Sequence, residues 1–370
     1  MIDNNIENAN CAIPSESTAP DGVASAADKT APDGDINAVS VISTPSYEEF
    51  AAENGITDGS LDEYVGTAVE LVIPEGVTDI GMKAFEGNTT LRRVVIPASV
   101  TDISPFAFRR CTALEEVELL GETVDLGIGV FLGCAALRRV VLPPALDEIP
   151  SGTFTGCTSL CELTLPAGLR VIASNSFGSC SSLTSLDIPA GVVKIGEGAF
   201  KGCSSLRAVN LPDGLDRIEA TVFSSCSSLR ELKIPNGVGY IGDCAFVFCS
   251  SLENIDLPDT LRSIGHTAFR GCSSLTEFTL PTGVDVIPLN LFDMCPSLAR
   301  VRLHDGVREI HTFAFRGCVS LGELTLPVGI EVIGSGAFSG CPSLVLCAPA
   351  KGAATEAEGA LDGIKEIIYY

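Results

Sequence analysis

The chain has 370 residues, 46% of them apolar but only 6% aromatic with no Trp, and 23 Lys and Arg stand against 47 Asp and Glu for a net charge of −24. That is length for two or three domains and ample material for a core. The acidity excludes the clustered cations that would neutralise nucleic-acid phosphates or hold the chain to an anionic bilayer, and no apolar run is long enough to cross a membrane as a helix.

Residues 1–45 are rich in Ala, Ser, Asp and Pro and read T-A-P-D-G twice, at Thr18–Gly22 and Thr30–Gly34. A stretch this poor in apolar residues, and net negative, cannot offset its ordering entropy, so a disordered acidic leader is expected. Asp3, Glu7, Glu16, Asp21 and Asp28, with no apolar segment among them, give no secretory signal. Ser46-Tyr47-Glu48-Glu49 is a capping box that opens a short helix to about Glu53, with Gly55 as its stop. Residues 46–70 are expected to form an N-terminal cap over the open apolar end of the segment that begins at Leu71. Residues 1–70 hold 14 acidic and 1 basic residue, over half of the chain's net charge.

From Leu71 the sequence repeats. Phe recurs every 23 residues at Phe85, Phe108, Phe131, Phe154, Phe177, Phe200, Phe223, Phe246, Phe269, Phe292, Phe315 and Phe338. Leu keeps the same step from Leu91 to Leu344, and Cys from Cys111 to Cys341, with Asn88 holding the first place in the Cys column. Residues 71–346 are therefore twelve units of 23, a period that means a solenoid rather than separate domains. Within Leu229–Ser251, Leu232 and Ile234 alternate with Glu231 and Lys233, the period of a half-buried strand. Pro235 ends that strand. With Pro at the second turn position, Gly237 falls at the fourth, as in a type I turn. Val238 and Ile241 form a second apolar pair, and Ala245 and Phe246 point inward from a short helical or 3₁₀ turn. Such a unit cannot bury its own apolar face, but stacked units can, with Phe on Phe at about 4.8 Å per rung.

The L-x-x-V-x-I-P strand and the I-G-x-x-A-F-x-G-C segment, as in Leu252–Pro258 and Ile264–Cys272, resemble the BspA-like (Treponema pallidum-type) leucine-rich repeat. The resemblance covers about three quarters of the chain. It implies an α/β-type solenoid: a right-handed, curved array of twelve 23-residue rungs, with a parallel sheet on one face and short turns or 3₁₀ segments on the other. It also implies a non-enzymatic protein, commonly surface-exposed and adhesive. The absence of an export signal or an LPxTG-type wall anchor leaves an intracellular interaction or structural role as the alternative. Residues 347–370 are expected as a C-terminal cap, with a short helix over Thr355–Gly363 and a final strand at Lys365–Tyr370.

Column residues are spent on packing, so recognition is expected in the outward strand positions. One row runs Arg93, Glu116, Arg139, Glu162, Ser185, Ala208, Glu231, Asn254, Glu277, Arg300, Glu323, and beside it lie Val95, Glu118, Val141, Thr164, Asp187, Asn210, Lys233, Asp256, Thr279, Arg302, Thr325. Opposite charges on neighbouring strands attract, which suits both a register-fixing ladder and a mixed-charge face for a protein partner. The candidate face comprises Arg93, Glu116, Glu118, Arg139, Glu162, Thr164, Glu231, Lys233, Glu277, Arg300, Arg302 and Glu323.

Other motifs point to packing. The Cys column lacks the paired spacing of a zinc site and reads as small, buried, reduced thiols. The G-x-G-x-x-x-G stretches at Gly127, Gly196 and Gly334 share one repeat phase and read as turn glycines. His304 and His311 replace column residues and read as a solvent-exposed pair on a degenerate rung. Asp147-Glu148 lie on a turn, and Asn88-Thr89-Thr90 is a glycosylation sequon that matters only in a secreted eukaryotic chain. The rungs near Leu120–Gly129 and His304–His311 depart most from the rule. No catalytic set, cofactor motif or metal site emerges.

Overall fold

The computed structural model describes residues 44–350 and 354–370, so the expected leader lies almost wholly outside the described residues. Ser46 caps a helix at Tyr47–Asn54: its hydroxyl accepts from the Glu49 N–H at 3.3 Å, and Gly55 at φ 64° ends the helix in the left-handed region. Beyond it, Ser60–Leu61 already pairs in parallel with Asp79–Ile80, so the segment expected as a cap contributes the first strand of the stack.

Each coil carries two strands. The expected one, two to four residues long, builds a main ladder from Glu70–Val72 through Arg93–Ile96 and onward to Glu366–Tyr369, with strand pairing interrupted at three places between Glu162 and Glu277. Partners lie one unit apart, as in Arg93 opposite Glu116 and Val94 opposite Val117. The second apolar pair proves to be a strand as well. Tyr240–Ile241 pairs with Arg217–Ile218 on one side and Ser263–Ile264 on the other, part of a minor ladder of two-residue strands. Between the two, the turn is shifted by one place from the sequence reading. The Pro235 carbonyl accepts from the Val238 N–H at 3.0 Å, so Pro235 holds the first turn position and Gly237 the third. Proline ends the ladder because it has no N–H, yet its carbonyl remains free to close the turn.

The third side of the coil holds no 3₁₀ turn among the described residues. In all twelve units, the residues two before and two after the column Phe have positive φ, between 55° and 77°. These left-handed residues interrupt any helical spiral, and alternate N–H groups then diverge. Those of Phe106, Phe108 and Arg110 reach Ile128, Val130 and Leu132 of the next coil at 2.7–3.0 Å. Those of Ala107, Arg109 and Cys111 close tight turns within their own coil at 2.9–3.3 Å. The backbone is thus cross-linked from rung to rung on all three sides, as a buried chain requires.

The interior is a set of columns. Every column Phe is at most 2% exposed, and consecutive ring centroids lie 4.5–6.0 Å apart in one stack. Tyr64 extends it at 4.8 Å from Phe85, followed by Phe50 at 6.4 Å from Tyr64, which is how the N-terminal segment covers the first coil. Each column thiol, from Cys111 to Cys341, donates to the Phe carbonyl of the preceding coil, 3.0 Å away for Cys111 and 3.1 Å for Cys341. Burial pushes the thiols upward, to about 12 for Cys203, Cys249 and Cys295, so they stay protonated at neutral pH. Asn88 takes the place of the first Cys by accepting the Leu91 N–H at 2.8 Å on its amide oxygen.

The expected helix at Thr355–Gly363 does not form. Thr355–Glu356 joins the minor ladder instead, Gly359 and Gly363 take φ of 71° and 80°, and Leu361 stands where the column Phe would be. Left-handed residues four apart are incompatible with an α-helix, so this segment is a thirteenth coil. Its strand Glu366–Tyr369 completes the main ladder as expected. The last coils are shorter, since Glu323 pairs with Val345, 22 residues on. The residue is lost before the strand, so Leu346 still points inward and is fully buried.

Candidate functional site

The main-ladder strands turn alternate side chains away from the core, and parallel register brings these into rows. Near the first coils the rows are linked. Glu118 receives Arg93 at 3.4 Å and Arg139 at 3.2 Å through the same carboxylate oxygen. Arg93 also lies 3.6 Å from Glu116, and Arg139 4.0 Å from Glu162, so five of the expected face residues form one ion network. Arg92 and Glu115, one position earlier, pair at 3.1 Å. Val95, expected to point outward, is only 8% exposed, although it lies outside the core cluster.

Toward the other end, Arg300 directs two nitrogens at one Glu277 oxygen, at 3.0 and 3.3 Å. Glu323 is in register with Arg300, but among the described residues no ion pair joins them. Thr164, Glu231, Lys233 and Arg302 are exposed and, among the described residues, carry no ion pair. The face is therefore two ion-paired patches, and between them Ser185, Ala208, Asn210 and Asn254 are interspersed with Asp187, Glu231, Lys233 and Asp256, which form no ion pair among the described residues.

The remaining sequence candidates resolve into packing roles. His304 accepts the Gly306 N–H on Nδ1 at 3.0 Å and reaches the Val284 carbonyl with Nε2 at 2.9 Å. It closes the turn where other coils use proline, and is half-buried rather than solvent-exposed. His311 is half-buried too, and lies 2.8 Å from Glu309. Gly127, Gly196 and Gly334 pass so near the previous coil that a Cβ would meet backbone atoms at 2.4–2.6 Å. Asp147 and Glu148 are exposed. Among the described residues, no cluster of three or more His, Cys, Asp or Glu is placed to hold a metal, and no helix is long and apolar enough to cross a membrane.

The strand columns, the Phe stack and the Cys ladder are those of one repeat class, and the model of the BspA-type leucine-rich repeat region matches overlapping segments from residue 63 to residue 347, with 6 copies. The chain belongs to this family. A leucine-rich repeat protein from Bacteroides ovatus is similar over 80% of this chain and 85% of its own, at 26% identity and a TM-score of 0.56. A leucine rich cell surface protein from Faecalibacterium prausnitzii shares the fold over 84% of this chain and 90% of its own, at 24% identity and a TM-score of 0.51. No curated protein matches the chain. BspA-type repeats form scaffolds of the kind typical in protein–protein interaction.

Within this BspA-type array, the turn side holds an ion triad at positions outside the repeat's packing columns. Asp293, 1% exposed, accepts Arg316 through both carboxylate oxygens at 2.7 Å and lies 3.0 Å from Arg270. The Asp293 carboxylate holds the Arg316 guanidinium above its ordinary value, outweighing partial burial. Arg316 also covers the Phe313 ring at 4.6 Å, and Arg270 the Phe248 ring at 5.6 Å. The signal was present: Arg, Asp and Arg follow three successive column Phe residues at one repeat phase. With Asp293 on the middle coil and an arginine on each neighbour, the triad ties three coils together.

Proposed function

We propose that this chain is a non-enzymatic scaffold that binds a macromolecular partner, most simply a protein, on the outward face of its main ladder, in the adhesin-like cell-surface role that the family resemblance suggests. The observation that carries this reading is the division of labour within each strand. Inward residues such as Leu232 and Val301 are buried in the core, whereas Glu231, Lys233, Arg300 and Arg302 extend outward and are exposed. Exposed ion pairs of the Arg139–Glu162 kind stabilise a fold by only about 0–1 kcal/mol each. A mixed-charge surface held in register has more effect on partner orientation and association rate than on stability. Arg93, Glu116, Glu118, Arg139 and Glu162 form one arm of this surface, and Glu277, Arg300, Arg302 and Glu323 the other. Thr164, Glu231 and Lys233 lie between.

The test is affinity capture from the native setting with the whole chain and with two variants, Arg93→Glu/Arg139→Glu and Arg300→Glu/Arg302→Glu. A partner retained by the natural chain and lost from at least one variant, with thermal melting unchanged, supports the reading. A partner retained equally by both variants removes the two charged patches as its binding surface.

A further inference from the structure

The main ladder is interrupted in its middle third. Strand pairing is missing at three places, between Glu162–Leu163 and Ser185–Leu186, between Ala208–Val209 and Glu231–Lys233, and between Asn254–Asp256 and Glu277–Thr279, and a groove of about 400 Å³ lies along the second of them. Its floor is apolar, made by Val209, Leu211, Leu232 and Pro235. Leu211 is only half-buried there, as are Leu257 and Leu303 at the same column position, whereas Ile188 and Ile234 are buried.

The rim carries three carboxamides, Asn210, Asn236 and Asn254. Residues 71–346 contain only six asparagines, so half of them meet at this one place. All three are exposed, and among the described residues none has a side-chain hydrogen bond, unlike Asn88, whose amide oxygen is committed to its own turn. A carboxamide offers donors and an acceptor side by side, the complement of a peptide group. Amides spaced along a groove can therefore grip an extended main chain whatever its sequence. The charges on the rim add a preference: Asp213, Glu231 and Asp256 outnumber Lys233. Lys233 is in register with Asp256, but no ion pair joins them among the described residues.

We infer that this groove holds an extended segment of the partner protein, its main chain on the three amides and a Lys or Arg side chain between Glu231 and Asp256. The inference rests on the outward face being the binding surface, and specifies what that surface grips.

Linear peptides displayed on phage and panned against the full chain provide the probe. Selected peptides are expected to be rich in Lys and Arg. Their affinity should fall about tenfold or more in Asn210→Leu/Asn254→Leu, the cost of unmade amide hydrogen bonds. Methylating the peptide's central backbone nitrogens should have a similar effect, and Ala208→Trp, which fills the groove, should abolish binding. Melting temperatures establish that the variants fold; if Ala208→Trp does not, the asparagine pair decides. No enrichment over the Asn210→Leu/Asn254→Leu protein, no cationic bias, or unchanged affinity in that variant overturns the inference. A native partner lost from the charge-reversal variants but held by Asn210→Leu/Asn254→Leu retires the groove alone. Peptides that obey the groove's rules, together with a native partner indifferent to charge reversal, retire the charged patches and leave the groove.

Discussion

Raising the pH should unfold this chain through its cysteine column. Ten column thiols, from Cys134 to Cys341, are pushed upward, Cys134 first by its hydrogen bond with Cys111 and then by burial, the other nine chiefly by burial, to about 12 at Cys203 and about 11 at Cys341. In an unfolded chain a thiol ionises near its ordinary pKa of about 8.5. The folded values lie above the unfolded one, so the stabilisation is complete below about pH 8.5 and is lost as the pH climbs toward the folded values. One unit above the ordinary value, at about pH 9.5, each thiol favours the unfolded chain by about 1.4 kcal/mol. For ten thiols that is on the order of 14 kcal/mol, comparable to the entire stability of a typical domain, about 5–15 kcal/mol. The assay is the urea midpoint followed by circular dichroism from neutral pH upward, under reducing conditions. A steep decline is expected above about pH 8.5. In Cys203→Ala/Cys226→Ala/Cys249→Ala, which removes three of the ten, the decline should be shallower by about three tenths. A midpoint that stays level to about pH 10, or an equal slope in the triple variant, would show that the thiols are not buried in a continuous column.

Phe200→Ala removes a fully buried ring stacked 5.4 Å from Phe177 and 5.6 Å from Phe223, and should cost about 3–5 kcal/mol in chemical denaturation; a loss below about 1 kcal/mol would contradict the stack. Gly271 has φ 72°, and its Cβ would fall 2.4 Å from the Phe248 ring, which lies over it. Gly271→Ala should therefore destabilise by about 1–3 kcal/mol, and adding Phe248→Ser should restore part of that loss; strict additivity in the double variant would refute the clash. Asp293→Asn should cost about 2 kcal/mol, less than the loss from a fully buried pair because both arginines keep contact with solvent. A neutral result by urea denaturation would mean that the triad does not tie the coils together.

Much of this architecture was readable because each column obeys one steric rule at a fixed step. Phe, Leu and Cys recur where a coil has room for only one shape, and the spacing alone places Phe200 on Phe177. The minor ladder was harder to see, because two-residue strands such as Tyr240–Ile241 show too little alternation to separate from a turn. The left-handed positions were masked by chemistry: they hold Gly at some coils but Phe106, Thr221, Thr267 and Met294 at others, and non-glycine residues there carry no turn signal of their own. A cross-rung effect decides several of them. The large side chains of Phe106, Phe248 and Phe313 lie against Gly129, Gly271 and Gly336, one unit later. The helix expected at Thr355–Gly363 failed for the same reason, since composition favoured a helix while Gly359 and Gly363 continued the turn phase. On the outward face, the rows were legible residue by residue. The three interruptions of the main ladder, the one beside Ala208 among them, were not, because strand pairing depends on how neighbouring coils settle rather than on any one residue.

The most direct test of the outward face as the recognition surface is amide hydrogen exchange of the chain alone and with its captured partner. Added protection is expected in the main-ladder strands, strongest in Ala208–Val209, Glu231–Lys233 and Asn254–Asp256, with the turn side around Phe248, Asp293 and Phe313 unchanged. Protection confined to that turn side, with the outward strands exchanging as before, would contradict it.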